Sequence, residues 1–321
     1  MKQKIISVLI MLFLIFIGIE ILTESQEILD TVGYSFSIWK NNLFPSLFPF
    51  FVLSEILVNF GFIELVGELF KPIMNKLFKV SGSSAFIFIM SLISGFPSNA
   101  KYTRNLYDKG LIDELEATKI LTFTHFSNPL FILGTISIMF LNNKKAGLIV
   151  LISHYFANVI IGIIMRNKIY ITKQNDKFSI KKAISKMHNK RIQNNQPLGT
   201  IISNSLINSI NSLLLILGVV TISLIVTTIL DKHFHLNIYL KTILCSIMEM
   251  TQGLKHISLL NVSLNIKTII MAMIISFGGL SVHTQVLSFI SDTKIKYTPF
   301  LLARIIHAVL AALLAFILLK I

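Results

Sequence analysis

Four short polar windows interrupt an otherwise apolar chain, and they hold the residues whose types and spacing suit them to bind a small solute. The first is SGFPSNAK, Ser94 to Lys101. Gly95 lets the backbone turn and Pro97 suits the start of a following helix. Ser94 precedes the turn, and Ser98 and Asn99 fall in the first turn after it, where side chains and free N–H groups can hold a carboxylate or a ring heteroatom. Lys101 and Arg104 are three apart and share a helix face, a pair that complements an anion; they equally suit a cytoplasmic helix end facing Asp108 or lipid head groups. The second window is Ser127, Asn128 and Pro129.

The third window is EMTQG, Glu249 to Gly253. An acid closing an apolar run is costly inside a membrane, so Glu249 either binds a coupling H+ or Na+, accepts a ligand N–H, or faces head groups at a helix end. Thr251 and Gln252 add donors and acceptors. In the fourth, SFGGLSVHTQ, Gly278 and Gly279 permit a tight unwound turn, and Ser281, His283 and Gln285 follow. His283 is placed either to see substrate or proton or to serve as a hydrogen-bonded structural residue. His154 and His307, inside apolar runs, are expected to bond helix to helix. No GxSxG, HExxH, P-loop or pair of catalytic carboxylates accompanies these windows, and Cys245 stands alone, so neither an enzyme nor a metal or cofactor site is expected.

The elements that must position the windows are membrane helices. Of 321 residues 54% are hydrophobic and 14% charged, with a mean hydropathy of +0.75, too apolar for a soluble chain of this length. Ile5 to Leu22 follows a basic start with no small-residue cleavage site after it, and reads as a retained spanning helix. The net charge of +14 is concentrated between spans. Arg166, Lys168, Lys173, Lys177, Lys181, Lys182, Lys186, Lys190 and Arg191 face only Asp176, which places this loop and the Lys2/Lys4 terminus in the cytoplasm and the acidic Thr23 to Asp30 stretch outside. Without interleaved aromatics the loop is not expected to bind nucleic acid.

Leu43 to Phe60 reads as a second apolar segment, and Phe62 to Val80 as an interfacial amphipathic helix. Asp113 with Glu116 forms a capping box for a helix expected to run to Phe126. Apolar runs Ala85 to Ile93, Tyr239 to Met248 and Thr268 to Ile275 each end in a window. About ten residues at 1.5 Å each cross roughly half of a ~30 Å hydrocarbon core, so these runs are half-helices or re-entrant hairpins. Offset by roughly 150 residues, the halves match window on window and span on span, a pattern-level repeat. The expected organisation is a spanning helix over 1–24, a first repeat over 25–165, a basic cytoplasmic loop over 166–198 and a second repeat over 199–321. Paired breaks in two repeats point to a midplane solute site.

LFPSLFPFFVLSEIL (Leu43 to Leu57), SGFPSNAK with Leu106 to Asp113, Ser127 to Thr135, EMTQG and SFGGLSVHTQVLSFI together resemble the YlbJ family, also called SpoVV, of sporulation integral membrane proteins in the nucleoside-recognition Gate class. The resemblance covers nearly the whole chain. It implies an all-α polytopic membrane fold of two Gate-like pseudo-repeats with broken or re-entrant helices, similar to the core of the concentrative nucleoside transporters. It further implies an endospore-forming bacterium and passage of dipicolinic acid across the outer forespore membrane. A flat pyridine with two carboxylates suits half-helix N-termini, a cation and hydrogen-bond donors. One position departs from the resemblance: glycine is common before the Ala-Lys pair, where this chain has Asn99. The expected partners are an anionic small molecule and the bilayer, with an oligomer compatible. A nucleoside or other heteroaromatic transporter, and a non-transporting scaffold acting through the basic loop, are the competing expectations.

Overall fold

A backbone surrounded by lipid must bond to itself, and this chain does so as fifteen α-helices and two π-helical segments, with no strand, among the described residues. The computed structural model describes residues 2–167 and 179–321; Lys168, Lys173, Asp176 and Lys177 of the basic loop lie outside the described residues. Helix α1 (Lys2–Thr23) is followed by α2 (Ser25–Ile38), a π turn (Trp39–Leu43) and α3 (Phe44–Asn59). These last three run on as one apolar stretch, so the segment expected to begin at Leu43 begins at Ser25. Pro45 falls in the first turn of α3, directly after the π turn.

The same end of the bundle carries α4 (Phe62–Phe78) and α9 (Ile180–Asn194), which pack on each other. Glu68 of α4 is buried and holds α9 through Lys186 Nζ at 2.7 Å and Lys182 Nζ at 3.8 Å. Both ammonium groups are partly exposed and only the acid is buried, so the tie is worth about 1 kcal/mol. Glu68→Ala is therefore expected to speed trypsin cleavage between Lys181 and Arg191 about fivefold; unchanged cleavage would show that the pair does not hold α9.

Between α5 (Ser84–Ser94) and α6 (Ser98–Asp108) the chain reverses, which brings the rings of Phe86 and Tyr102 on opposing legs to 5.3 Å. A second reversal joins α11 (Ile238–Met248) to α12 (Met250–Leu259), with Gly253 packed directly against the Ser246 backbone. Since α9 leads into α10 (Leu198–Phe234) and α11 starts at its far end, the two hairpins enter the bundle from opposite ends. Helix α7 (Glu114–Leu121) and the π-helix Phe131–Phe140 are separated by unwound residues 122–128, and α13 (Leu264–Phe277) is parted from α14 (Gly279–Ile290) by Gly278. Helices α8 (Lys144–Met165) and α15 (Tyr297–Leu318) are uninterrupted and pack with α13.

Six helices are long and apolar enough to cross a membrane among the described residues: Lys4–Thr23, Ser25–Asn59, Lys144–Met165, Leu198–Phe234, Leu264–Ile290 and Tyr297–Leu318. Phe156 and Ile163 of α8 and Leu302, Val309 and Leu313 of α15 face outward, while His154, Asn158, Arg304 and His307 on the same helices are fully buried. Apolar outside and polar inside is the arrangement a bilayer favours over water. The chain is thus an all-α multi-pass membrane protein.

Two element ends differ from expectation. Helix α7 stops at Leu121 rather than Phe126, because the hydroxyls of Thr122 and Thr124 bond the carbonyls of Lys119 (2.7 Å) and Ile120 (2.8 Å) and satisfy the helix end there. Asp113 caps it as expected, accepting from the Glu116 N–H at 2.8 Å, but the Glu116 carboxylate does not close the box. It accepts instead from Ser81 N and Ser84 Oγ, both at 2.6 Å, tying α7 to the start of α5.

Candidate functional site

The four windows meet. A Cβ on Gly95 would collide with the Asn128 backbone, and Phe96 N donates to Phe126 O at 2.7 Å, so the first window lies on the second. The His125 ring stacks on Phe96 with centroids 4.6 Å apart, and a Cβ on Gly278 would stand 3.0 Å from His125 Nε2, which brings in the fourth. A Cβ on Gly279 would stand 3.1 Å from Met250 N, and Ser281 Oγ donates to Glu249 Oε1 at 3.5 Å, which brings in the third. The meeting point lies halfway along the bundle: His154 and His307 are each the eleventh residue of a 22-residue helix.

Helix ends buried at this depth need partners for their last carbonyls. At the end of α5, Ser94 Oγ donates to Met90 O at 2.5 Å, Gly95 N to Ser91 O at 2.8 Å and Tyr155 OH to Leu92 O at 2.9 Å. Asn128 Nδ2 donates to Ile93 O and Ser94 O at 3.3 and 3.2 Å, and Ser98 Oγ to Gly95 O. Asn128 Oδ1 accepts from Leu130 N at 2.7 Å. Ser94, Ser98 and Asn128, expected to face a solute, therefore hold the hairpin tip closed, with Pro97 starting α6 beside them. Gly95 has φ +80°, a backbone conformation that strains any side chain, so Gly95→Ala combines strain and collision and is expected to destabilise by about 2–4 kcal/mol. Thermal melting of the purified protein checks this, and an unaltered melt would contradict it.

On the opposite hairpin Glu249 is 1% exposed and caps α12, accepting from Gln252 N at 2.9 Å and from Thr251 Oγ1. The window expected to span five residues narrows to one because this cap lets the helix resume at Met250. Thr251 and Gln252 also line neighbouring cavities of about 230 and 270 Å³ that share Tyr34 and open at the far end, away from α9.

Behind the windows runs a continuous polar network. Ser127 N donates to His154 Nε2 at 2.8 Å, so His154 carries its proton on Nδ1 and gives it to Ser276 Oγ, also at 2.8 Å. His307 Nε2 donates to His154 O at 2.8 Å, and its Nδ1 accepts from Arg304 at 2.6 Å. Arg304 further binds Asn158 Oδ1 at 3.3 Å and Thr122 O at the end of α7, and Asn158 Nδ2 donates to His125 O at 2.6 Å. The two histidines do bond helix to helix. Arg304 is fully buried and no carboxylate pairs with it among the described residues.

Three expected site residues face elsewhere. Arg104, two turns along α6 from the tip, is carried to the basic end, where it pairs with Asp108 at 2.6 Å and with Asp292 and bonds Phe289 O at 3.2 Å. Lys101 pairs with Glu55 at 3.0 Å, its ammonium 4.9 Å from the Phe51 ring. His283 bonds Tyr297 OH at 2.8 Å and Phe277 O at 3.1 Å. Gln285 is buried on α14. Among the described residues, Asn99 is fully buried at the tip with neither amide atom bonded, and His125 is fully buried with both ring nitrogens unbonded.

The Arg104 guanidinium holds the Asp292 carboxyl below its ordinary value of 3.8. A depressed carboxylate contributes stability above its unfolded pKa and loses it as pH falls through the folded one. Asp292→Asn is expected to remove part of the melting-temperature decline below about pH 4; melts from pH 7 to 3 that superimpose on wild type would contradict the tie.

His125, Asn158 and Arg304 were not singled out in the sequence. Arg304 had a signal, a lone cation in the middle of an apolar run. His125 was hidden inside a helix expected to continue to Phe126. Among the described residues no three His, Cys, Asp or Glu side chains gather as a metal site.

The family described as Gate, nucleoside recognition, matches residues 41–230, more than half the chain. Over 99% of its length and 84% of the relative's, the chain is 32% identical to the Sporulation integral membrane protein YlbJ of Bacillus subtilis (strain 168). It belongs to the YlbJ family of sporulation integral membrane proteins. No solved structure matches it.

Proposed function

We propose that this chain is a transporter that moves dipicolinic acid across the outer forespore membrane during sporulation. The observation that carries the reading is a midplane centre where four helix breaks converge beside a buried cation, Arg304, that has no carboxylate partner among the described residues. A buried charge calls for a counter-charge, and a dicarboxylate supplies one. The flat His125–Phe96 stack offers a surface for a planar ring. Hairpins entering from opposite ends suit alternating access, with Glu249 as the group that carries a coupling proton or Na+. The basic α9 end is the cytoplasmic one, and neither enzymatic activity nor nucleic-acid binding belongs to this reading.

Deleting the gene in its own organism, with dipicolinic acid synthesis intact, is expected to leave spores nearly free of the compound; spores with normal content would refute the proposal. The Gate description favours one second reading, a nucleoside transporter. Competition assays separate the two, because uptake of a neutral nucleoside would be insensitive to added dicarboxylate. A scaffold acting through the basic loop would lose function on deletion of α9 while sparing uptake.

A further inference from the structure

Helix α14 starts at the centre of the bundle with no side chain capping its N-terminus. Its preceding residue, Gly278, lies in the left-handed region at φ +91° and has no side chain to cover the free N–H groups of the first turn. His125 faces this point. The imidazole is fully buried, its Nε2 stands 3.0 Å from where a Gly278 Cβ would be, and neither ring nitrogen has a hydrogen-bond partner among the described residues. Stacking on Phe96 at 4.6 Å and edge contact with Phe300 at 5.2 Å fix the ring, and Asn158 holds its backbone carbonyl. Asn99 sits in the first turn of α6, which packs on α14, and both its amide atoms are also buried and unbonded.

Buried polar atoms in folded proteins are almost always bonded, because each orphan carries the full desolvation penalty. An orphaned imidazole aimed at an uncapped helix N-terminus therefore marks the place of a missing acceptor. The N-terminal partial charge selects an anionic one. Arg304, 5.2 Å from the Phe300 ring that His125 also touches, supplies the balancing charge, while Glu249 is turned to its own cap on α12.

We infer that the first turn of α14 and His125 form the seat of a carboxylate group of the transported solute, with Asn99 as a further hydrogen-bonding wall. This rests on the transport reading above and assigns His125 as the residue that distinguishes a carboxylate from a neutral group.

The test is equilibrium binding to the full chain in lipid nanodiscs, using pyridine-2,6-dicarboxylate, its uncharged diamide and benzene-1,3-dicarboxylate. His125→Ala is expected to weaken both dicarboxylates at least about tenfold while changing the diamide less than about threefold, and His125→Gln to restore most of the loss. The dicarboxylate-to-diamide ratio does not depend on the fraction folded, so a structural defect cannot imitate the result. An unchanged ratio in His125→Ala, or a wild type that binds neither carboxylate, overturns the seat. If the wild type binds benzene-1,3-dicarboxylate but not the pyridine compound, with the same His125 dependence, the seat stands and the dipicolinic acid reading falls.

Discussion

Glu249→Ala is expected to destabilise the protein by about 3–4 kcal/mol and to abolish uptake. The carboxylate is buried at the hairpin tip and accepts from Gln252 N, Thr251 Oγ1 and Ser281 Oγ, drawn from two elements. Loss of a helix cap costs about 1 kcal/mol, and each donor left buried without an acceptor about 1–3 kcal/mol. Glu249→Gln keeps an acceptor oxygen in the same place and should fold within about 1–2 kcal/mol of wild type. In that variant the side chain no longer titrates, so solute binding should persist while the dependence of uptake on a proton or Na+ gradient disappears. Melting and gradient-driven uptake on the two variants separate the cap from the coupling role; a Gln variant with normal gradient dependence would remove Glu249 from coupling.

Arg304→Leu is the second large effect, about 3–5 kcal/mol of stability, because it strands Thr122 O, Asn158 Oδ1 and His307 Nδ1 in an apolar interior. Thr122 O is a terminal carbonyl of α7, so the guanidinium caps a half-helix C-terminus, where a cation is favoured by the helix dipole. Arg304→Lys keeps the charge but not the planar fork that reaches three acceptors. It is expected to lose about 1–2 kcal/mol and to retain anion binding that Arg304→Leu lacks. Equal binding by the Leu and Lys variants would show that the charge plays no part in holding the solute.

What was legible in the sequence is what local chemistry decides. Gly95 and Pro97 ended α5 and began α6 close to the expected residues, and Asp113 capped α7 as its position required. The apolar runs revealed the spanning helix from Ile5 to Leu22 and the short runs that end in the windows, while the six long apolar helices emerged only in the fold. Illegible were the features set by packing across distant segments. Lys101 and Arg104 share a helix face, yet α6 runs from the centre to the basic end, so the tip keeps Asn99 while Arg104 reaches Asp292. Ser94, Ser98 and Asn128 read as ligand groups because the carbonyls they satisfy become a burden only when two breaks are folded together. His125 had no local signal, its exposure to the centre depending on α7 stopping at Leu121.

We propose that the converged breaks carry a small aromatic dicarboxylate across the bilayer. The direct measurement is uptake of radiolabelled dipicolinic acid into liposomes reconstituted with the purified chain. Saturable uptake above empty liposomes is expected, competed by unlabelled dicarboxylate but not by uridine, and lost in Glu249→Ala. Uptake no greater than in empty liposomes, with folded protein present, would contradict it.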